Sequence, residues 1–349
     1  MSISGFYIQE LYEAIDAVPQ IEKLNNASVL ITGATGLIGS YTVELLLAYN
    51  RREQANIRVY AMGRSMGRLK ERFSQWETPD LFLVEHDVNY PLEIEESFDY
   101  IIHAASNAYP AAFDKYPVDT VMSNTMGTYY LLEYARRSNV KRFVFVSSGE
   151  VYGISEKPDM VFNELYSGYV NSIDPRACYP NSKRLGETLC VSYVKQYNTS
   201  TVIVRPCHVY GPYTTKSDNR ASAQFFDNVL HNKDIVLKSL GLQRRSYCYV
   251  SDCVSALLTV MLNGEDGQAY NISNSKSVVT IAELAETIAK IGGQRVIMQL
   301  DNAPKGVTAP HNQILSCELI ESLGWYGRYS IDRGVRHTLH ILNDRLVID

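Results

Sequence analysis

The sequence lacks the signatures of several protein classes. Its six cysteines form no C-x-x-C pair and no His/Cys spacing of a zinc finger, so we expect reduced thiols and no metal site. No stretch reaches the ~18 apolar residues of a membrane-spanning helix. Residues 1–16 carry acidic but no basic side chains, unlike a signal peptide. The net charge of −5 offers no basic excess for nucleic acid. These absences predict a cytoplasmic protein that binds neither membrane nor nucleic acid.

Apolar strands and amphipathic helices alternate along the first two thirds of the chain. The 349 residues, 46% of them hydrophobic, can bury a large core. Five short apolar runs lie at 28–32, 57–62, 81–84, 100–103 and 142–146, and a sixth follows at 200–204. The alternation predicts an α/β fold, a doubly wound parallel sheet with a smaller C-terminal substrate lobe. We place a helical extension at 1–27, the main domain at 28–205 with a return near 245–262, and the lobe at 206–244 and 263–349.

The turn after the first apolar run is rich in glycine. It reads T-G-x-x-G-x-x-G over residues 32–39. We expect Gly33 to permit the tight turn, Gly36 to let the backbone approach a pyrophosphate and Gly39 to let the helix pack closely. The helix N-terminus then offers N–H groups and the positive end of its dipole to phosphates. Because a strand precedes the motif and a helix follows it, the motif predicts a Rossmann-type dinucleotide-binding domain.

The second apolar run lacks the acidic residue that usually binds the ribose 2′-OH ~20 residues after the glycines. Gly63 and Arg64 stand there instead. An arginine suits a 2′-phosphate, which points to NADP, whereas an arginine that stacks on adenine or faces solvent leaves NAD equally open. The sequence therefore predicts NAD or NADP.

A tyrosine and a lysine four residues apart follow the fifth run. Tyr179 and Lys183 share one helix face. Lowering the ordinary tyrosine pKa of ~10 by ~3 units takes about 4 kcal/mol. We expect the Lys183 ammonium and a bound nicotinamide cation to supply it together, so that Tyr179 removes a proton from a sugar hydroxyl as hydride leaves the same carbon. Ser148 ends the fifth run and is placed to hydrogen-bond the substrate beside Tyr179.

Nine short motifs make residues from about 28 to 340 resemble extended short-chain dehydrogenases/reductases that act on nucleotide sugars, the NAD-dependent epimerase/dehydratase family. The resemblance implies transient oxidation at sugar C4, tightly held NAD(P) and a nucleotide-diphosphate sugar in the C-terminal lobe. The motifs are TGATGLIG at 32–39, HAAS at 103–106, NTMGT at 124–128, SSGEVYG at 147–153, YPNSK at 179–183, RPCHVYGP at 205–212, RRSYCYVSD at 244–252, YNISN at 270–274 and LGW at 323–325.

The resemblance also implies roles for individual residues, with Ser148, Tyr179 and Lys183 as the catalytic set. Two arginines would hold the nucleotide diphosphate, and a histidine stands where many members have asparagine. The predicted cofactor contacts are Gly33, Thr35, Gly36, Leu37, Ile38, Gly39, Arg64, Asp87, Val88, Ala104, Ala105, Asn124, Tyr179 and Lys183. The predicted substrate contacts are Ser106, Asn107, His208, Arg220 and Arg245.

Position 150 separates the reactions within the family. In the family that this chain resembles, the 4,6-dehydratases have glutamate there, preceded by aspartate, and the glucuronate decarboxylases have glutamate preceded by a small residue. The 3,5-epimerases have cysteine at this position, and the plain 4-epimerases have a small or hydroxylic residue. Here Gly149 precedes Glu150. We therefore expect Glu150 to join the catalytic set for C5 chemistry (epimerisation, decarboxylation or elimination), with Lys216 as a candidate partner acid.

Several alternatives stay open. If Glu150 only orients a hydroxyl, the protein is a plain 4-epimerase. If Arg64 binds a 2′-phosphate, an NADPH-dependent ketosugar reductase is favoured. Outside the enzymes, a dinucleotide-sensing scaffold is possible, although Ser148, Tyr179 and Lys183 are all present. The apolar stripe at 119–134 predicts a homodimer if it does not simply pack into the core.

Overall fold

The computed structural model describes residues 3–346 except 156, 158, 214–217 and 301–311, with side chains as far as 343. Lys216 lies outside the described residues. The strands are β1 (Ser28–Thr32), β2 (Arg58–Gly63), β3 (Leu81–Glu85), β4 (Tyr100–His103), β5 (Arg142–Val146), β6 (Val161–Phe162), β7 (Thr201–Pro206), β8 (His208–Tyr210), β9 (Ile235–Leu237), β10 (Arg244–Tyr249), β11 (Ala269–Ile272), β12 (Val278–Thr280), β13 (Val296–Met298) and β14 (Ile314–Leu315).

Helices connect these strands. The α-helices are α1 (Gly5–Ile15), α2 (Leu37–Glu53), α3 (Met66–Arg72), α4 (Pro110–Lys115), α5 (Pro117–Arg137), α6 (Cys178–Tyr197), α7 (Ala221–Leu230), α8 (Val250–Asn263), α9 (Ile281–Ile291), α10 (Glu318–Glu321) and α11 (Ile331–Leu346). Short 3-10 helices lie at Ile21–Leu24, Gly149–Tyr152, Pro175–Ala177 and Ser275–Ser277. None of the described helices is long and apolar enough to cross a membrane.

A seven-stranded parallel sheet forms the centre of the molecule. Its order is β11-β7-β5-β4-β1-β2-β3. Strands β1 and β4 are buried along their whole length because helices cover both faces, which explains their continuous apolar sequences. Thr32 pairs with His103, and His103 pairs with Phe145. The carboxyl ends of the central strands therefore meet at one edge, where ligands bind in folds of this type.

The seventh strand comes from late in the chain. Strand β11 follows α8 and joins the large sheet beside β7, whereas β10 pairs with β8 and β12 in a small separate sheet. The large domain therefore recruits residues 269–272, which the sequence analysis placed in the lobe. A crossover helix before β11 explains this addition, since α8 lets the chain return parallel to β7.

The N-terminal extension packs on the body of the protein. The apolar spacing predicts a helix over residues 6–24, but α1 ends at Ile15. The chain leaves the helix there because Pro19 cannot continue a helix and Gln20 adopts a left-handed φ of 61°. The Glu10 carboxylate is buried and contacts the hydroxyls of Tyr41 and Tyr249 and the Nδ1 of His337. Helix α1 thus ties α2, β10 and α11 together.

Candidate functional site

A cavity of about 1290 Å³ opens at the carboxyl edge of the large sheet. It exceeds the ~300–1,000 Å³ of most small-molecule pockets, which suits a dinucleotide. Leu37 and Ile38 begin α2 beside it, so their N–H groups belong to the helix N-terminus. The predicted site residues that line the cavity are Gly33, Thr35, Gly36, Arg64, Asp87, Val88, Ala104, Ala105, Ser106 and Asn107.

The glycine turn leaves no room for side chains. Gly33 has a φ of +66°, and a Cβ there would lie 2.8 Å from the Ala104 backbone. A Cβ on Gly39 would lie 2.3 Å from the Gly33 carbonyl oxygen. Gly39 is therefore required by the turn itself, whereas the sequence analysis assigned it to packing of the helix. The bare backbone and the first N–H groups of α2 fit a pyrophosphate.

A glutamate from β3 lies at the end of β2, where the sequence lacks an acidic residue. Glu85 pairs with Gly63 across the sheet, and its carboxylate accepts a hydrogen bond from the Met66 N–H at 3.0 Å. Arg64 and Arg68 line the cavity nearby. Strand β3 therefore places a carboxylate at the end of β2, although Glu85 is not among the described residues that line the cavity.

Tyr179 and Lys183 lie on the buried face of α6. Burial, with a smaller contribution from the Glu150 carboxylate, raises the pKa of Tyr179 to about 12, although a hydrogen bond with the Ser148 hydroxyl acts in the opposite direction. Burial lowers the pKa of Lys183 to about 7. The Lys183 Nζ lies 5.8 Å from the Tyr179 ring centroid and donates to the Val146 carbonyl at 2.7 Å. Lys183 by itself therefore does not lower the Tyr179 pKa, and the lowering expected from Lys183 together with a bound nicotinamide cation stays a prediction.

Three polar contacts hold α6 in place. Glu187 lies one turn after Lys183, raises the pKa of that lysine, and accepts hydrogen bonds from Ser147 at 2.5 Å and Arg205 at 2.7 Å. Asn124 lies inside α5, where its amide donates to the Ser182 hydroxyl at 2.9 Å. Asn124 is thus placed against α6 and not among the residues lining the cavity.

Glu150 has a partner that the sequence analysis did not identify. The Nη2 of Arg176 donates to both carboxylate oxygens of Glu150, at 3.0 and 2.9 Å. The guanidinium carbon of Arg176 lies 4.3 Å from the Phe113 ring centroid, and Phe113 stacks on Tyr179 with centroids 5.1 Å apart. Arg176 stands three residues before Tyr179, so its closeness in sequence was the available signal.

The two arginines predicted to hold the diphosphate differ in their surroundings. Arg245 lies 2.7 Å from the Nε2 of His208 and 3.4 Å from the Gln313 side-chain oxygen, and among the described residues it has no carboxylate within ion-pair distance. Burial and Arg245 lower the pKa of His208 to about 3, so this histidine is neutral. Arg220 pairs with Asp218 at 2.5 Å. Arg245 therefore carries the cationic charge available to an anion.

Comparisons with known proteins agree with this geometry. The family model described as the NAD dependent epimerase/dehydratase family matches residues 29–273. UDP-glucuronic acid decarboxylase 5 of Arabidopsis thaliana is 33% identical over 316 residues, covering 89% of this chain and 88% of that protein. The enzyme WbmF of Bordetella bronchiseptica, solved with NAD+ and UDP, aligns with a TM-score of 0.74 at 25% identity, covering 94% and 96% of the two chains. The UDP-glucose 4-epimerase of Thermotoga maritima, solved with UDP-glucose, shares the fold with a TM-score of 0.77 at 22% identity, covering 91% and 99%.

Proposed function

This chain belongs to the NAD-dependent epimerase/dehydratase family, and we propose that it is a UDP-glucuronic acid decarboxylase. The observation that carries the proposal is Glu150, which follows Gly149 and lies close enough to Tyr179 to raise its pKa. The alignment with the Arabidopsis thaliana decarboxylase covers most of this chain and most of that protein. In the family pattern, glutamate after a small residue is typical of glucuronate decarboxylases and differs from the Asp-Glu pair of the dehydratases.

The chemistry starts at sugar C4. Bound NAD would accept hydride from C4 and later return it. Tyr179 would take the proton of the C4 hydroxyl, which Ser148 orients by hydrogen bonding. The resulting C4 ketone lies β to the C6 carboxylate, so the C5–C6 bond breaks, carbon dioxide leaves and the electron pair enters the C4–C5 enolate.

Proton return to C5 falls to Glu150 in this scheme. Its side chain is 32% exposed, so it exchanges protons with water. The protonated carboxyl gives its proton to C5 and becomes the carboxylate whose charge Arg176 balances. Tyr179 then returns its proton to the C4 oxygen as the ketone is reduced.

We propose NAD as the cofactor. The Glu85 carboxylate already accepts the Met66 N–H beside Arg64 and would repel a 2′-phosphate there. Denaturing the purified protein and identifying the released dinucleotide by mass spectrometry tests this. Recovery of NADP would overturn the assignment and make Arg64 a 2′-phosphate ligand.

We also propose a homodimer formed through α5 and α6. Val118, Met122 and Tyr129 share one face of α5 and are 70%, 42% and 39% exposed, and Leu185 of α6 is 49% exposed. Apolar surface of this kind favours a second copy of the chain. Light scattering should give twice the chain mass, and Met122→Glu should give the mass of one chain.

The deciding experiment uses UDP-glucuronic acid labelled with ¹³C at C6, incubated in D2O with purified holoenzyme. We expect labelled carbon dioxide and a UDP-pentose that carries deuterium at C5 but not at C4. Tyr179→Phe is the matched control, because it removes one hydroxyl and should stop the reaction.

Three results would contradict the proposal. A product of unchanged composition with deuterium at C5 would indicate a C5 epimerase. An altered sugar without carbon-bound deuterium would indicate a 4-epimerase and remove the role of Glu150. Turnover only with NADPH and a ketosugar would indicate a reductase.

A further inference from the structure

Four side chains form a continuous row beside the candidate site. Glu150 pairs with Arg176, Arg176 lies over the face of Phe113, and Phe113 stacks on Tyr179. The row joins the carboxylate assigned to C5 to the phenol assigned to C4. A substitution of Arg176 should therefore affect both the Glu150 carboxylate and the Tyr179 phenol.

The backbone at Arg176 is fixed by the turn that starts the Tyr179 helix. The Asp174 side chain accepts the Arg176 N–H at 2.9 Å, and Pro175 begins the 3-10 turn Pro175–Ala177. Helix α6 follows at Cys178, so Tyr179 is its second residue. Arg176 and Tyr179 consequently keep a fixed spacing while the Arg176 side chain reaches across to Glu150.

The charges around Tyr179 show what the pairing does. Glu150 raises the pKa of Tyr179, whereas Ser148, Arg220 and Arg176 lower it. Arg220 is already paired with Asp218, whose side chain is 4% exposed. Lys183 faces the ring at 5.8 Å but donates to the Val146 carbonyl. Arg176 is therefore the cation that directly balances the Glu150 carboxylate beside the phenol.

We propose that Arg176 is a positioning residue: it holds the Glu150 carboxylate in place for the step at C5 and offsets its negative charge at Tyr179 during oxidation at C4. Planar contact with Phe113 keeps the guanidinium in the orientation that reaches Glu150. The assignment of the two steps to C4 and C5 rests on the proposed function. The pairing itself does not.

The test separates the two steps. Single-turnover mixing with UDP-glucuronic acid follows reduced nicotinamide by its near-ultraviolet absorbance, and released carbon dioxide is measured in the same samples. In Arg176→Gln, the pH profile of nicotinamide reduction should move to higher pH, because the charge of Glu150 is no longer balanced beside Tyr179. Carbon dioxide release should fall about tenfold or more.

Two further variants distinguish charge from orientation. Glu150→Gln/Arg176→Gln should restore the pH profile of the first step while carbon dioxide release stays slow. Arg176→Lys keeps the charge but loses the planar stack, so the profile should stay near that of the wild type while reduced nicotinamide accumulates. Arg295→Gln is the control, since it breaks an exposed ion pair with Asp234 far from this row in sequence.

Several outcomes would overturn the proposal. These are an unchanged pH profile in Arg176→Gln, a double variant that behaves like Arg176→Gln alone, or a uniform loss of activity that follows the loss of thermal stability. The first step is recorded with UDP-glucose as well, which also carries a C4 hydroxyl. If the wild type reduces nicotinamide with UDP-glucuronic acid but releases no carbon dioxide, the decarboxylase is refuted. The comparison of the Arg176 variants in the first step stays valid.

Discussion

Replacing Glu10 should destabilise the whole protein, although this residue lies in the N-terminal extension. In Glu10→Ala the hydroxyls of Tyr41 and Tyr249 and the His337 ring lose a buried partner at 3.2, 2.8 and 2.7 Å. Unsatisfied buried polar groups cost about 1–3 kcal/mol each. We expect a total loss of about 4 kcal/mol.

Thermal and urea unfolding of the holoenzyme would measure this loss. At ~2–4 °C per kcal/mol, Glu10→Ala should lower Tm by about 10 °C. Glu13 on the same helix provides the matched control: its ion pair with Arg333 is exposed on both sides, and it accepts one hydrogen bond from the Tyr329 hydroxyl at 3.2 Å. Glu13→Ala should therefore cost only about 1–2 kcal/mol. Equal losses in the two variants would refute the view that α1 is an integral part of the fold.

Three further variants test the site. Tyr179→Phe should lower kcat by about 10³-fold or more while the NAD content of the purified protein stays unchanged, and an active variant would exclude Tyr179 as the C4 base. Lys183→Met should raise the free energy of unfolding most below about pH 7, because burial lowers the pKa of Lys183 to about 7 and the wild type must then bury a charge. The gain should vanish as pH rises towards ~10, where lysine is neutral in both states, and urea titrations across this range would show it. Arg245→Met should weaken UDP binding about 10- to 100-fold with a smaller change in kcat, since Arg245 would donate one to two charged hydrogen bonds to the diphosphate in the proposed complex. Titration calorimetry and steady-state kinetics would measure the two effects.

The fold follows closely from local sequence signals, and its exceptions have physical causes. Apolar runs and the glycine motif predict β1, β2, β4 and β5 within one residue of their observed bounds. Strand β11 was not separated from the lobe, because a short apolar run late in the chain does not reveal which sheet edge it joins. The position of β11 beside β7 depends on how α8 packs across the sheet, which is a feature of tertiary structure.

The site was less fully predictable for the same reason. Motifs located the glycine turn, Tyr179 and Lys183, since their chemistry depends on fixed spacing along the chain. Arg176 and Gln313 act across the fold: Arg176 meets Glu150 from 26 residues away, and Gln313 meets His208 from 105 residues away. Spacing in the sequence does not reveal these pairings, although the position of Arg176 three residues before Tyr179 marks it as a neighbour of the site. In the protein alone, burial raises the pKa of Tyr179, and spacing could not show this because it carries no information about desolvation. The lowering expected from Lys183 together with a bound nicotinamide cation stays a prediction.

In the proposed reaction, the charge arrangement would tie proton removal by Tyr179 to the presence of the oxidised cofactor. Arg176 and Arg220 are already paired with Glu150 and Asp218, and burial brings the Lys183 pKa down to about 7. With its own pKa near 12, Tyr179 therefore has little net positive charge around it in the protein alone. A bound cationic nicotinamide ring would add the missing positive charge, and its reduction would remove that charge. In the proposed reaction, Tyr179 would therefore take the proton of the C4 hydroxyl only while the oxidised cofactor is bound, and would give the proton back when the C4 ketone is reduced.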